Sequence, residues 1–347
     1  MSRDNGTGVT GGHPSLAGAV LAAIRRHVGL TQQGLAEVMQ RSSVKTVQGW
    51  ESGRRPLTRL TFEELDQLHR VLTLATASSS HLAVLHDALK ADRILAQLNV
   101  DDLRLHPLAT IVPTRTLTEL LAWPMTGRPP RQLADLDPQL HVPSGYRDHL
   151  ATELRRAADH AGRDVAGAMV RRQAHYLTAN HEPSAGWLSE SITADLRAAP
   201  DLREWSPEWA SVRSRAIVAT AHGDHEPMQR FLEQGLSSDQ GVTANLVYWA
   251  YWVGEIAYAW SSDHDMLTNT HPWSGELLLD SLLDGLANAP YRELCAHALW
   301  SLLASRRGLA ERHREQILTT IDYVTGTHEL SRNTTNRLDQ IAYAHRR

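Results

Sequence analysis

The sequence predicts an all-α protein, a small N-terminal helical domain followed by a larger helical one, and three observations predict it. No stretch alternates apolar and polar residues for long enough to form a strand. Apolar residues recur instead at steps of three and four, which lays them along one side of a helix. At 347 residues the chain is several times longer than the roughly 60 to 70 residues its first compact pattern needs, so a second core must follow.

Residues 1–14, MSRDNGTGVTGGHP, are Gly-rich and are expected to be a disordered tail. Residues 16–27 make the first helix. In the next stretch, RRHVGLTQQGLAEVMQRSSVKTVQGWESGRRP over 25–56, Leu30, Leu35, Ala36 and Met39 face inward at helical spacing. Polar residues 40–43 then break the pattern, and Val47 and Trp50 resume it, so two short helices share one small core. Thr31 can cap the first and Ser43 the second, each side-chain oxygen accepting a free backbone N–H of the opening turn, and Gly53 is the stop signal. Thr61 and Glu64 form a capping box for a helix over 61–72. After a small-residue spacer at 73–80, residues 81–98 carry an apolar stripe of Leu82, Leu85, Leu89 and Leu95, fit either to pair with a second copy or to dock on the C-terminal domain. The predicted boundaries are 15–76 for the first domain, 77–100 for a linker helix and 101–347 for the second domain.

Residues 123–145 are Pro-rich and read as a loop or hinge. From Tyr146 about nine helices are expected, broken at Gly162, Pro183, residues 200–207, Gly223, Gly241, Pro272 and Pro290. Ser206 and Pro207 make an N-cap and first-turn pair, and Gly223 closes the helix that follows. Residues 215–236 look like a tetratricopeptide unit and 297–318 echo it faintly, yet their turns at Gly223 and Gly308 lie 85 residues apart, not a multiple of the usual period of about 34. A helical-hairpin solenoid and an irregular bundle both stay open. Residues 246–260 are apolar nearly all round. Such a helix is either core, or one wall of an aromatic pocket for a small molecule or peptide, with Tyr248, Trp249 and Trp252 as its lining and Glu255 as a polar anchor.

Charge divides the chain. Residues 1–60 hold eight Lys or Arg against three acidic residues, a surplus of five, whereas the whole chain carries −4. Only the N-terminal part therefore attracts a polyanion, and the acidic remainder repels one. Cys295 is the single cysteine, which excludes a disulfide framework within the chain and fits a reducing cytoplasm. With no basic-then-apolar leader and no long apolar run, a soluble cytoplasmic protein without a membrane partner is expected. Two lysines against 33 arginines point to a bacterial genome of high GC content. There is no phosphate loop ending in Gly-Lys and no nucleophile elbow, and His328-Glu329 lacks the second His a zincin needs, so no enzyme activity and no cofactor are expected. His222, Asp224 and His225, like Asp263, His264 and Asp265, are residue types that bind metals, but in helix-helix turns they are expected to act as caps.

The set Gly29 to Gln32, Leu35, Ala36, Thr46, Val47, Trp50, Glu51 and Gly53 resembles the Xre/Cro-repressor family of helix-turn-helix regulators over about residues 16–72. It departs from that family in the turn, where Gln40, Arg41 and Ser42 replace a shorter Gly-containing link, so a wider turn is expected. The resemblance implies that the second helix enters the DNA major groove with its N-terminal residues at base edges. Lys45 would then donate to guanine O6 and N7, Gln48 would bond adenine, Val44 would touch a thymine methyl, and Gly49 would leave room for close approach. Gln32, Ser43, Thr46, Ser52, Arg54, Arg55 and Arg59 would hold phosphates, and Arg25 with Glu51 would form a partly buried pair joining the first helix to the recognition helix. The implied function is a sequence-specific, nucleoid-associated transcriptional regulator, a repressor, bound to double-stranded DNA as a homodimer on an inverted repeat. The alternative is a scaffold whose helical domain binds a protein or peptide while the first domain only localises it.

Overall fold

The computed structural model describes residues 15–39, 43–98, 102, 105–134, 136, 140, 146–162, 164–197 and 201–346. The expected tail over 1–14 and the wider turn at Gln40, Arg41 and Ser42 lie outside them. Among the described residues there are twenty α-helices and no strand. In chain order they are α1 (Leu16–His27), α2 (Gln32–Val38), α3 (Val44–Glu51), α4 (Phe62–Leu74), α5 (Ser79–Leu95), α6 (Pro107–Thr110), α7 (Arg115–Thr126), α8 (Arg131–Ala134), α9 (Arg147–His160) and α10 (Val165–Thr178). The rest are α11 (Ala185–Arg197), α12 (Pro207–Ala221), α13 (Glu226–Arg230), α14 (Asp239–Val253), α15 (Asp265–Thr268), α16 (Glu276–Asn288), α17 (Arg292–Ser305), α18 (Arg307–Arg312), α19 (Arg314–Thr327) and α20 (Arg332–His345). No described helix is long and apolar enough to cross a membrane.

The chain divides into two compact units, Met1–Asn99 with Thr116–Leu154, and Val100–Arg115 with Arg155–Arg347. This differs from the boundaries predicted at 76 and 100. In the first unit α5 lies along α1, and Leu82, Leu85, Leu89 and Leu95 are buried. The stripe read as a dimer seam or a dock for the second domain is thus spent within the first unit. Residues 116–126 also return to that unit: Trp123 and Pro124, expected in a loop, end α7, because Leu117, Leu120, Leu121 and Met125 bury a helical face that outweighs the proline.

Local caps behave as their sequences require. Thr31 accepts from Gly34 N at 2.9 Å, Ser43 from Thr46 N at 3.2 Å and Ser206 from Trp209 N at 3.3 Å, while Thr61 and Glu64 complete the capping box. Gly53 and Gly223 take the left-handed φ values of +76° and +89° that suit them to follow helices.

In the second unit, hairpin α16/α17 stacks on hairpin α19/α20 with like helices together, α16 on α19 and α17 on α20. The echo predicted at 297–318 is therefore displaced, since the paired hairpins occupy 276–305 and 314–345, and Gly308 lies inside α18 while the chain breaks at Arg306. Two further expectations change. Gly241 does not end a helix but sits in the first turn of α14, where a Cβ would lie 2.1 Å from Gly235 O. The helix read as 246–260 stops at Val253, because Gly254 turns left-handed at φ +91°. Trp260 beyond it pairs with Val112 in an isolated antiparallel bridge and stacks on the Tyr251 ring at 4.0 Å.

Candidate nucleic-acid interface

The N-terminal unit presents one face of α3. Val47 and Trp50 are buried, and α3 packs on both α1 and α2. The opposite side carries Lys45 and Gln48, three residues apart and both exposed, with Val44 half-buried beside them. Among the described residues Lys45 makes no hydrogen bond or ion pair, so its three donors are open to solvent.

Gln48 is held. Its amide donates to Gln32 Oε1 at 3.2 Å, and Gln32 in turn donates to Glu51 Oε2 at 2.6 Å. Glu51 takes the Arg25 fork, Nε at 2.6 Å and Nη2 at 3.2 Å, and Arg25 Nη1 also donates to Leu30 O at 2.7 Å. The Arg25 and Glu51 side chains are each 9 % exposed, as expected of a partly buried pair linking α1 to α3. With both ends of its amide engaged, Gln32 acts as the brace between that pair and Gln48.

The flanking groups are also interconnected. Arg55 Nη1 donates to Thr46 Oγ1 at 3.2 Å, Thr46 and Ser43 share a hydroxyl contact at 3.0 Å, and Arg54 Nε donates to Ser52 Oγ at 3.2 Å. Ser43, Ser52, Arg54, Arg55 and Arg59 are exposed. Gly49 needs correction: it is buried under Arg55, whose Cγ and Cδ would stand 3.1 Å from an added Cβ, so its missing side chain houses the arginine stem rather than opening room at a base edge.

Two positions escape sequence reasoning. At Gly18 an added Cβ would lie 2.4 Å from Trp50 O and 2.9 Å from Glu51 O, so this residue lets α1 cross the end of α3. Asp92 on α5 accepts from Leu16 N at 2.8 Å, Ala17 N at 3.1 Å and Ser15 Oγ at 3.0 Å, clamping the first turn of α1. Burial raises its pKa to about 6 against those three donors, which pull it down. No local pattern marks either role, because both depend on residues far away in the chain.

The second predicted site is used differently. Glu255 accepts from Ser274 Oγ at 2.6 Å, Gly275 N at 2.7 Å and Leu278 N at 3.3 Å, which caps α16 and occupies the proposed anchor. Trp252 lies under the Arg115 guanidinium at 5.3 Å, and Tyr248 and Trp249 flank Arg213 at 4.9 and 5.1 Å. Among the turn residues with metal-binding chemistry, Asp224 caps Glu226 N and Asp263 pairs with Arg172. Among the described residues no three of His, Cys, Asp or Glu gather where a metal ion could sit. No family model, curated protein or solved structure matches the chain.

Proposed function

We propose that this chain is a sequence-specific DNA-binding transcriptional regulator that reads the major groove with α3. The observation that carries the reading is the exposed Lys45 and Gln48 on the free side of a helix whose other side is core, with Gln48 braced by Gln32 and Glu51. An α-helix fits the major groove, and a lysine and a glutamine there match guanine and adenine edges. A side chain already held in place loses less conformational freedom on binding. Arg55 reaches Thr46 on α3, Arg54 and Arg59 are exposed in the residues that follow the helix, and the three supply the charge that phosphates require. We further propose that the protein is a repressor and acts as a homodimer on an inverted repeat.

The test begins by selecting preferred duplexes from a random library with the full chain. Lys45→Ala and Gln48→Ala should each cost about 1 to 3 kcal/mol on the selected site and much less on random DNA. Failure to enrich any sequence, or equal losses on both DNAs, would remove base reading from α3.

A further inference from the structure

We propose that the second unit holds a binding site for a small monocarboxylate, built from Arg172 on α10, Arg213 on α12, Asn245 and Tyr248 on α14, and Asp263. It goes beyond the DNA reading and stands without it. Arg172 and Arg213 are 3 % and 4 % exposed. Arg172 Nη1 donates to Asp263 Oδ2 at 2.6 Å, and its charge is thereby matched. Arg213 has no carboxylate partner among the described residues: its Nε donates to the neutral Asn245 Oδ1 at 2.6 Å, the faces of Tyr248 and Trp249 lie beside it, and Tyr291, Cys295 and Arg172 are close enough to act on its charge. Arg172 also lies 6.0 Å from the Tyr248 ring centre, so one ring has two guanidinium groups beside it.

A buried charge without a counter-charge is costly, and cores avoid it unless something else supplies the opposite sign. Here Asp263 matches Arg172 and no carboxylate matches Arg213, which leaves a surplus of one positive charge. Burial accordingly pulls the Arg213 pKa below its usual range, whereas at Arg172 the same burial is outweighed by Asp263. The Arg172–Asp263 pair is itself incompletely bonded. Arg172 Nη2 and Asp263 Oδ1, the second donor and second acceptor of that pair, are both fully buried without a hydrogen-bond partner.

A single carboxylate balances the surplus charge and can accept from guanidinium donors. The open oxygen of Asp263 calls for a donor on the same ligand, so a 2-hydroxy acid should bind more tightly than the plain acid. A divalent phosphate would overcompensate. Tyr248 is the one partly exposed member of the set, which puts the approach beside its ring.

Titration calorimetry of the full chain with lactate, propionate and inorganic phosphate, at constant ionic strength set by chloride, tests the assignment. Saturable binding of lactate, weaker binding of propionate and weaker still of phosphate is expected. Arg213→Met should weaken lactate by at least about tenfold, and Arg213→Lys, which keeps the charge but not the fork, should weaken it less. Should Arg213→Met fail to fold, Asn245→Ala, which frees the arginine from its brace, must still weaken lactate. The assignment is overturned if lactate does not saturate at tens of millimolar, if phosphate binds as well, or if the folded variants leave lactate affinity unchanged. In any of those cases the open polar atoms hold only water.

Discussion

Replacing Asp92 by Asn sets two opposed effects against each other. Asp92 is mostly buried, which favours its neutral form, and it accepts two backbone N–H groups and one hydroxyl, which favour its charged form. Burial wins on balance, lifting the pKa from 3.8 to about 6. A carboxyl whose folded pKa is raised binds its proton more tightly folded than unfolded. The folded state therefore gains from Asp92 at low pH and loses that gain as pH rises from about 4 to above 6. A shift of about 2 units, at about 1.36 kcal/mol each, sets the full loss near 3 kcal/mol. Asparagine does not titrate, but it offers one accepting oxygen where Asp92 uses two, so it adds a constant loss and only the pH-dependent part of the difference reports the titration. Hydrogen exchange of α1 and α5 peptides, wild type beside Asp92→Asn at each pH, cancels the intrinsic chemistry of exchange. The ratio of variant to wild-type protection should level off below about pH 4 and rise from that level by tens-fold to about a hundredfold by pH 7.5. A pH-independent ratio would show that Asp92 titrates as it does unfolded, and wild type gaining on the variant as pH rises would show that the three donors win.

Gly18→Ala should destabilise the first unit by about 1 to 3 kcal/mol, because the new Cβ meets backbone oxygen of α3 rather than a side chain that can move aside. Exchange protection in α1 and α3 would report it, and unchanged protection would mean that the crossing is looser than drawn. On the proposed DNA reading, Arg54→Ala and Arg55→Ala should each lower the slope of log affinity against log salt by about 1, measured by fluorescence anisotropy, and an unaltered slope would place them off the backbone. Two copies of α3 must sit about 34 Å apart to meet successive major grooves, so the full chain should sediment as a dimer at micromolar concentration and protect an inverted repeat. A monomer bound to one half-site with full affinity would refute that. Since the Leu82, Leu85, Leu89 and Leu95 stripe is buried inside the first unit, polar substitutions there should unfold that unit rather than dissociate a dimer.

What could be read in advance divides along the range of the interaction. Thr31, Ser43, Thr61 and Ser206 were legible as caps because each acts on a backbone group three residues away. The buried and exposed sides of α3 were legible for the same reason, since helical spacing fixes them. The bracing role of Gln32 was not legible because its partners, Gln48 and Glu51, lie 16 and 19 residues on, and their meeting depends on the angle between α2 and α3. Glycines misled in both directions: Gly254 ended a helix that composition alone would extend, while Gly241 and Gly308 lie within helices where breaks were expected. A glycine marks either a left-handed backbone or a close approach, and one sequence does not distinguish them. Glu255 resembled a ligand anchor because its partners on α16 are about twenty residues downstream.

A helix of eight residues such as α3 is too short to persist on its own, so its direction must be set by contacts made elsewhere. The contacts form a sequence through the first unit. Asp92 fixes the start of α1, Gly18 lets α1 close on the end of α3, Arg25 grips Glu51 there, and Gln32 carries that grip across to Gln48. Every link is a side chain or a missing side chain on α1, α2 or α5, except Glu51 and Gln48 themselves. If α3 reads DNA, affinity for phosphates should follow the arginines beside it, while preference among sequences should follow this chain of braces. Loss of Gln32 would then blur recognition without removing a base contact, because Gln48 would stay on the exposed side with nothing to orient its amide.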